Sequence, residues 1–191
     1  VTPHHLILTE ELARSYDARY KVNPPLRRES DVLALRAAVA DGTIDIIATD
    51  HAPHPVEAKD CEWDAAAFGM VGLESALPVA QATLVANGHA SWAELERLLS
   101  AKPAEIGRLS GHPTALDAGQ PADLVLVDPG GVSAFGPEKL RGLSANSPFL
   151  GMELPGRVHT TIRRGVITLD DGELADSAAV AAAAQGRGSA A

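Results

Sequence analysis

Apolar positions recur at helical spacing in the first third of the chain. Val32, Leu35, Ala38 and Val39 follow Ser30, a candidate cap, and precede Asp41-Gly42, a stop signal, which predicts a helix over about 30–40. The pattern then changes period. Residues 44–49 are a short run rich in β-branched side chains that ends on Asp50-His51-Ala52-Pro53-His54, and this predicts a buried strand delivering polar groups at its C-terminal end. Residues 55–72 carry Cys61, Trp63 and the pair Phe68-Gly69 without periodicity, and are read as a long loop, which in a compact domain is more often functional than accidental.

From Leu73 to about Asn87 the spacing is helical again, with Gly88 as its stop. Ser91-Trp92-Ala93-Glu94 has the spacing of a capping box ahead of the apolar stripe Leu95, Leu98 and Leu99, and 102–106 predicts a short helix with Pro near its first turn. Beyond Gly111 strands replace helices. A strand is predicted over 122–128, two more meet at Arg164-Gly165 between 158 and 169, and Asp171-Gly172 marks another turn. The Ala/Gly/Ser-rich tail from Ser177 offers no apolar face larger than methyl groups and is expected to be disordered.

Composition narrows the class of partner. The 191 residues are 46% hydrophobic, enough for a core, and carry a formal net charge of −9 with their Lys and Arg scattered. Such a chain lacks the basic footprint that nucleic acid or an anionic membrane would require. One cysteine permits no internal disulfide, and no long apolar run appears. A soluble, cytoplasmic protein is expected. The first residue is Val1, followed at once by Thr2-Pro3-His4-His5-Leu6, which reads as the end of a strand entering a loop. The sequence is therefore read as a C-terminal piece of a longer protein.

Asp50 is the strongest chemical candidate. A carboxylate at the C-terminal end of a buried strand, flanked by His51 and His54, stands where parallel α/β barrels place catalytic groups. It can bind a divalent metal through one oxygen and take a proton from metal-bound water with the other; it can equally cap the turn after the strand. Adjacent side chains on a strand point to opposite faces, so His4 and His5 cannot both face one metal, and a hydrogen-bonded structural histidine is the simpler reading. Asn23-Pro24-Pro25-Leu26-Arg27 can hold the Asn23 amide rigidly toward a ligand or can be a stiff connector, and Arg27 can bind a carboxylate or an ion-pair partner. Cys61 has no obvious base beside it, and His89, His112 and His159 have no companion ligands.

Four blocks together resemble one family. The run 48–54 with Lys59 five positions beyond His54, the block 2–6, the block 23–27 and Gly72-Leu73-Glu74 are similar, in order, to segments of the longer, bacterial-type dihydroorotases of the amidohydrolase superfamily. The likeness spans roughly residues 1–170. It implies an α/β chain: the C-terminal part of a (β/α)8 TIM-type barrel over 1–112, with Asp50 ending the eighth strand, then the C-terminal half of a small β-sandwich over 113–174, then a disordered tail over 175–191. It implies reversible, zinc-dependent hydrolysis of dihydroorotate to N-carbamoyl-L-aspartate in pyrimidine synthesis, with two zinc ions per site.

By the same resemblance Asp50 is the catalytic acid/base and a metal ligand, Asn23 and His54 bind substrate, and the backbone of Phe68-Gly69 contacts the pyrimidine ring. His4 and His5 are not ligands. The remaining metal ligands of the family belong upstream of Thr2, so this stretch is expected neither to close a barrel nor to hold a binuclear site, and to be inactive alone. A homodimer or a complex with aspartate transcarbamoylase is implied as the possible assembly. The rival readings are a non-catalytic scaffold for that enzyme and a hydrolase of another cyclic amide, such as a hydantoinase or allantoinase.

Overall fold

A computed structural model describes residues 1–109, 116–178 and 180–181. His112 and most of the Ala/Gly tail lie outside these. Five short α-helices are present among them: α1 (Glu29–Ala40), α2 (Val56–Lys59), α3 (Ala76–Ala80), α4 (Trp92–Glu96) and α5 (Lys102–Ile106). Four strands follow, β1 (Leu124–Ala134), β2 (Glu153–Arg163), β3 (Val166–Asp170) and β4 (Glu173–Leu174), forming one sheet in the order β1-β2-β3-β4. No helix among the described residues is long and apolar enough to cross a membrane.

Local signals become local structure. Helix α1 begins one residue before Ser30, and the Asp31 carboxylate, rather than the serine, accepts the Arg28 backbone N–H at 3.2 Å. At α4 the capping box forms: Ser91 Oγ accepts the Glu94 N–H at 3.2 Å while the Glu94 carboxylate accepts the Ser91 N–H at 2.7 Å. The segment after Leu73 turns helical as α3 and widens into a π-helical turn over 81–85. Arg164 and Gly165 both adopt positive φ (48° and 76°) between β2 and β3, and Asp171 and Gly172 do the same (45° and 87°) before β4. Two left-handed residues in a two-residue connection suit the twist of an antiparallel hairpin, and β2 pairs antiparallel with β3, and β3 with β4.

The strand predicted over 44–49 forms no ladder. The Ile44 and Ile47 N–H groups donate to the Ala38 and Leu98 carbonyls, both at 3.0 Å, and the segment's strand-like pairing is with Val1, whose nitrogen donates to the Ile46 carbonyl at 3.0 Å while the Ala48 N–H donates to the Val1 carbonyl at 2.9 Å. The pairing ends there because Pro3 has no N–H to offer and 4–6 turn into a 3-10 helix. A β-branched run sets the extended conformation, but a strand in a ladder also needs neighbours along its length.

The chain divides into two compact units, one of 1–103 with 132–155, the other of 104–131 with 156–191. The sequence reading sets the boundary between its two domains near 112; the chain passes between the two units three times, and Phe135, Phe149 and Leu154 are buried with Leu8, Val22, Leu26, Met70 and Val79 in one cluster of the first unit. A second cluster of that unit joins Leu6, Val39, Ile47, Ala80, Leu84, Leu95 and Leu98. Each fully buried leucine there contributes about 2 kcal/mol. Arg36 of α1 donates through Nε to the Leu6 carbonyl at 2.8 Å, tying the helix to the first turn of chain. In the second unit, Arg163 pairs with Asp123 at 2.8 Å.

Candidate active site

Asp50 follows directly on the extended segment, and there the chain turns sharply: its φ is +52°, a left-handed conformation that aspartate tolerates better than most residues. The residue is exposed, and its carboxylate accepts no hydrogen bond from the described residues. It therefore does not cap the turn. Two residues on, the Ala52 N–H donates to the Met70 carbonyl at 3.0 Å, and His51 and Met70 form a parallel bridge, which brings the far end of the 51–72 loop back beside its start.

The loop is folded around two lysine ammonium groups. Lys21 is buried and donates to the carbonyls of Trp63 (2.6 Å), Asp64 (3.2 Å) and Ala66 (2.7 Å), with its Nζ 4.6 Å from the centre of the Phe68 ring. Lys59, at the end of α2, donates to the carbonyls of Ala67 and Gly69, both at 2.8 Å. Burial, and then the charge of Lys21, holds the Lys59 pKa below the usual lysine value. The loop is thus organised by cations satisfying its carbonyls.

His54 Nε2 lies 2.8 Å from the Phe68 carbonyl. A carbonyl can only accept, so Nε2 is the donor in this contact and Nδ1 is the ring nitrogen left clear of it. Gly69 has φ +119°, and a Cβ there would stand 2.6 Å from Ala52 Cβ and 3.3 Å from His54 Nε2. Only glycine lets these two stretches approach. Asn146 closes the arrangement from 92 residues away in sequence: its Oδ1 accepts the His54 N–H at 3.3 Å, and its Nδ2 donates to the Ala52 carbonyl at 2.9 Å and the Gly69 carbonyl at 3.3 Å.

Of the residues singled out in sequence, His54, Phe68 and Gly69 are brought together. Asn23 is exposed beside a cis Asn23–Pro24 bond, and its side chain makes no hydrogen bond to the described residues. Its surroundings are set by His5, whose Nε2 lies 2.9 Å from the Pro24 carbonyl and whose Nδ1 lies 2.6 Å from Thr2 Oγ1. His4 is buried, and burial followed by the charge of His5 pushes its pKa down to about 3. Both histidines are structural here. Arg27 reaches Asp31 at 3.7 Å in an exposed ion pair, and Cys61 is an exposed free thiol. Lys21 and Asn146 were missed in sequence; the blocks Lys21-Val22-Asn23 and Asn146-Ser147-Pro148 place a polar residue beside apolar or proline positions, a weak signal.

The family model for the amidohydrolase family matches residues 5–168. The chain belongs to the amidohydrolase family. Among its relatives, the dihydroorotase of Leifsonia xyli is 64% identical over 93% of this chain, that of Streptomyces coelicolor 59% over 91%, and that of Mycobacterium tuberculosis 47% over 91%. The chain spans about 40% of the length of these curated relatives, covering 40%, 41% and 40% of them in turn. The L-hydantoinase of Arthrobacter aurescens superposes with a TM-score of 0.84 at 30% identity, covering 92% of this chain and 40% of that one. A D-hydantoinase from Thermus sp. shares the fold with a TM-score of 0.79 at 24% identity, over 92% of this chain and 40% of that chain. The mixed α/β architecture is thus that of the amidohydrolases, and a TIM-type barrel is consistent with it.

Amidohydrolases are generally metal-dependent, and a bound ion needs several donor side chains converging on one point. Among the described residues no group of three or more His, Cys, Asp or Glu side chains is placed to hold an ion. Asp50 stands exposed, His51 Nδ1 accepts the Gly72 N–H at 3.2 Å, and His54 Nε2 is engaged by Phe68. These residues do not by themselves fit a metal centre.

Proposed function

We propose that the full-length protein containing this chain is a dihydroorotase, opening the ring amide of dihydroorotate by hydrolysis to N-carbamoyl-L-aspartate and closing it in reverse, in pyrimidine synthesis. What carries the reading is the joining of His54 to Phe68-Gly69 across 14 residues, since the family resemblance assigns both blocks to one substrate. The names of the relatives support the same ring.

In this reading Asp50 accepts the proton of the attacking water and returns it to the departing ring nitrogen, a role for which an exposed carboxylate free of hydrogen-bonded partners is suited. A left-handed aspartate is a mildly strained conformation of the sort that gathers at functional positions. His54 offers Nδ1 as an acceptor to the substrate, the Asn23 amide offers a donor and an acceptor, and the Phe68-Gly69 main chain meets the ring. The expected zinc pair, with Asp50 among its ligands, belongs to this reading, with the other ligands supplied from outside the described residues. The proposal also includes a β-sandwich completed around the four-stranded sheet, a cytoplasmic setting, and assembly as a homodimer or with aspartate transcarbamoylase.

Likeness to hydantoinases keeps a second ring in view. Assay of the full-length protein with dihydroorotate and with a hydantoin, side by side, separates the readings. Turnover of dihydroorotate is expected; turnover of the hydantoin alone would reassign the substrate, and turnover of neither would favour the scaffold.

A further inference from the structure

We propose that Lys59 and Asn146 are positioning residues of the active site described above, acting through the Gly69 carbonyl to fix the Phe68–Gly69 main chain and, through it, the His54 ring. The inference rests on the dihydroorotase reading for its substrate, and on geometry for its mechanism.

The Gly69 carbonyl receives two donors, Lys59 Nζ at 2.8 Å and Asn146 Nδ2 at 3.3 Å, which together use both of its lone pairs. The peptide before it is held on both edges. Its N–H, from Gly69, donates to the Lys21 carbonyl at 2.9 Å, and its C=O, from Phe68, meets His54 Nε2 at 2.8 Å. Asn146 also reaches the opposite wall, donating to the Ala52 carbonyl and accepting the His54 N–H, while its own carbonyl accepts the Val71 N–H at 3.2 Å. It is buried, and both hydrogens of its amide are engaged. Lys59 is likewise buried and also engages the Ala67 carbonyl. Neither side chain has a donor directed at a substrate by these contacts; each fixes the main chain against which the His54 ring is set.

Two donors converging on one carbonyl make a coupled pair. Loosening either releases the same main-chain atoms, so the effects of removing both should fall short of their sum. Because the released groups hold the substrate and do not exchange its protons, binding should suffer more than the chemical step.

The test uses the full-length protein with Asn146→Asp, which keeps the acceptor and removes the two donations, Asn146→Ala, which adds no charge, Lys59→Met, and the Asn146→Ala/Lys59→Met double variant. Each single variant is expected to raise KM for dihydroorotate about tenfold with kcat within about threefold, and the double variant to show less than the product of the single effects. Amide hydrogen exchange at Ala67 and Gly69 should quicken in every variant while that of α1 stays as in the parent. A KM within about twofold of the parent in correctly folded variants, with only a lowered melting temperature, would overturn the proposal. If the parent itself fails to turn over dihydroorotate, the substrate reading falls separately. The positioning claim is then decided by exchange: acceleration confined to 66–72 supports it, and unchanged or chain-wide exchange refutes it.

Discussion

His54 Nε2 stands 2.8 Å from the carbonyl oxygen of Phe68, and this contact decides which nitrogen of the ring is free. With the proton held toward the carbonyl, a neutral ring has Nδ1 as its acceptor. His54→Gln can keep a donor near Phe68 but takes the acceptor away from the Nδ1 position, whereas His54→Ala loses both groups. In the full-length protein both are expected to raise KM for dihydroorotate at least about tenfold, the alanine variant more, as steady-state kinetics will register. Equal, parent-like KM values would remove His54 from the site.

Gly69 admits no side chain. A Cβ at 2.6 Å from Ala52 Cβ, on a residue with φ +119°, must displace one wall of the loop. Gly69→Ala is expected to destabilise the fold by about 2–3 kcal/mol, read as a shift of the denaturant midpoint, and to depress turnover. An unchanged midpoint would mean that the two stretches can separate freely.

Lys21 donates to three carbonyls from a buried position. Lys21→Met keeps much of the aliphatic stem and strands those acceptors, at an expected cost of about 3 kcal/mol in unfolding free energy. Proteolysis within 60–69, quickened in the variant, gives an independent reading.

The histidine at position 4 makes stability depend on acid. Its folded pKa is depressed to about 3 from 6.5, so the unfolded chain binds this proton more readily. Stability due to this group is intact above about pH 6.5 and is lost progressively as pH falls toward 3, by a few kcal/mol when complete. His4→Gln is expected to flatten the slope of unfolding free energy against pH across that window. A slope identical to the parent's would place the acid sensitivity elsewhere.

What could be read from the chain beforehand was mostly short-range. Ser91 and Glu94 are three residues apart, and Arg164-Gly165 and Asp171-Gly172 are adjacent pairs, so each motif carries its own hydrogen bonds or φ preference. The 44–49 run is apolar enough to bury Ile47, yet its ladder depends on neighbours that composition does not name. Lys21 and Asn146 were illegible for a related reason. Their partners are main-chain carbonyls, 42 to 45 residues away for Lys21 and 77 to 94 for the Asn146 amide, and a carbonyl leaves no mark in sequence. His54, Phe68 and Gly69 were found through family resemblance, and the structure supplies the contact that joins them.

In the proposed reaction Asp50 is the proton carrier. The direct measurement is kcat for dihydroorotate of the full-length protein against its Asp50→Asn variant, with circular dichroism confirming that both are folded. A fall of about 10²–10⁴ in kcat is expected; a variant that turns over at close to the parent rate would contradict it.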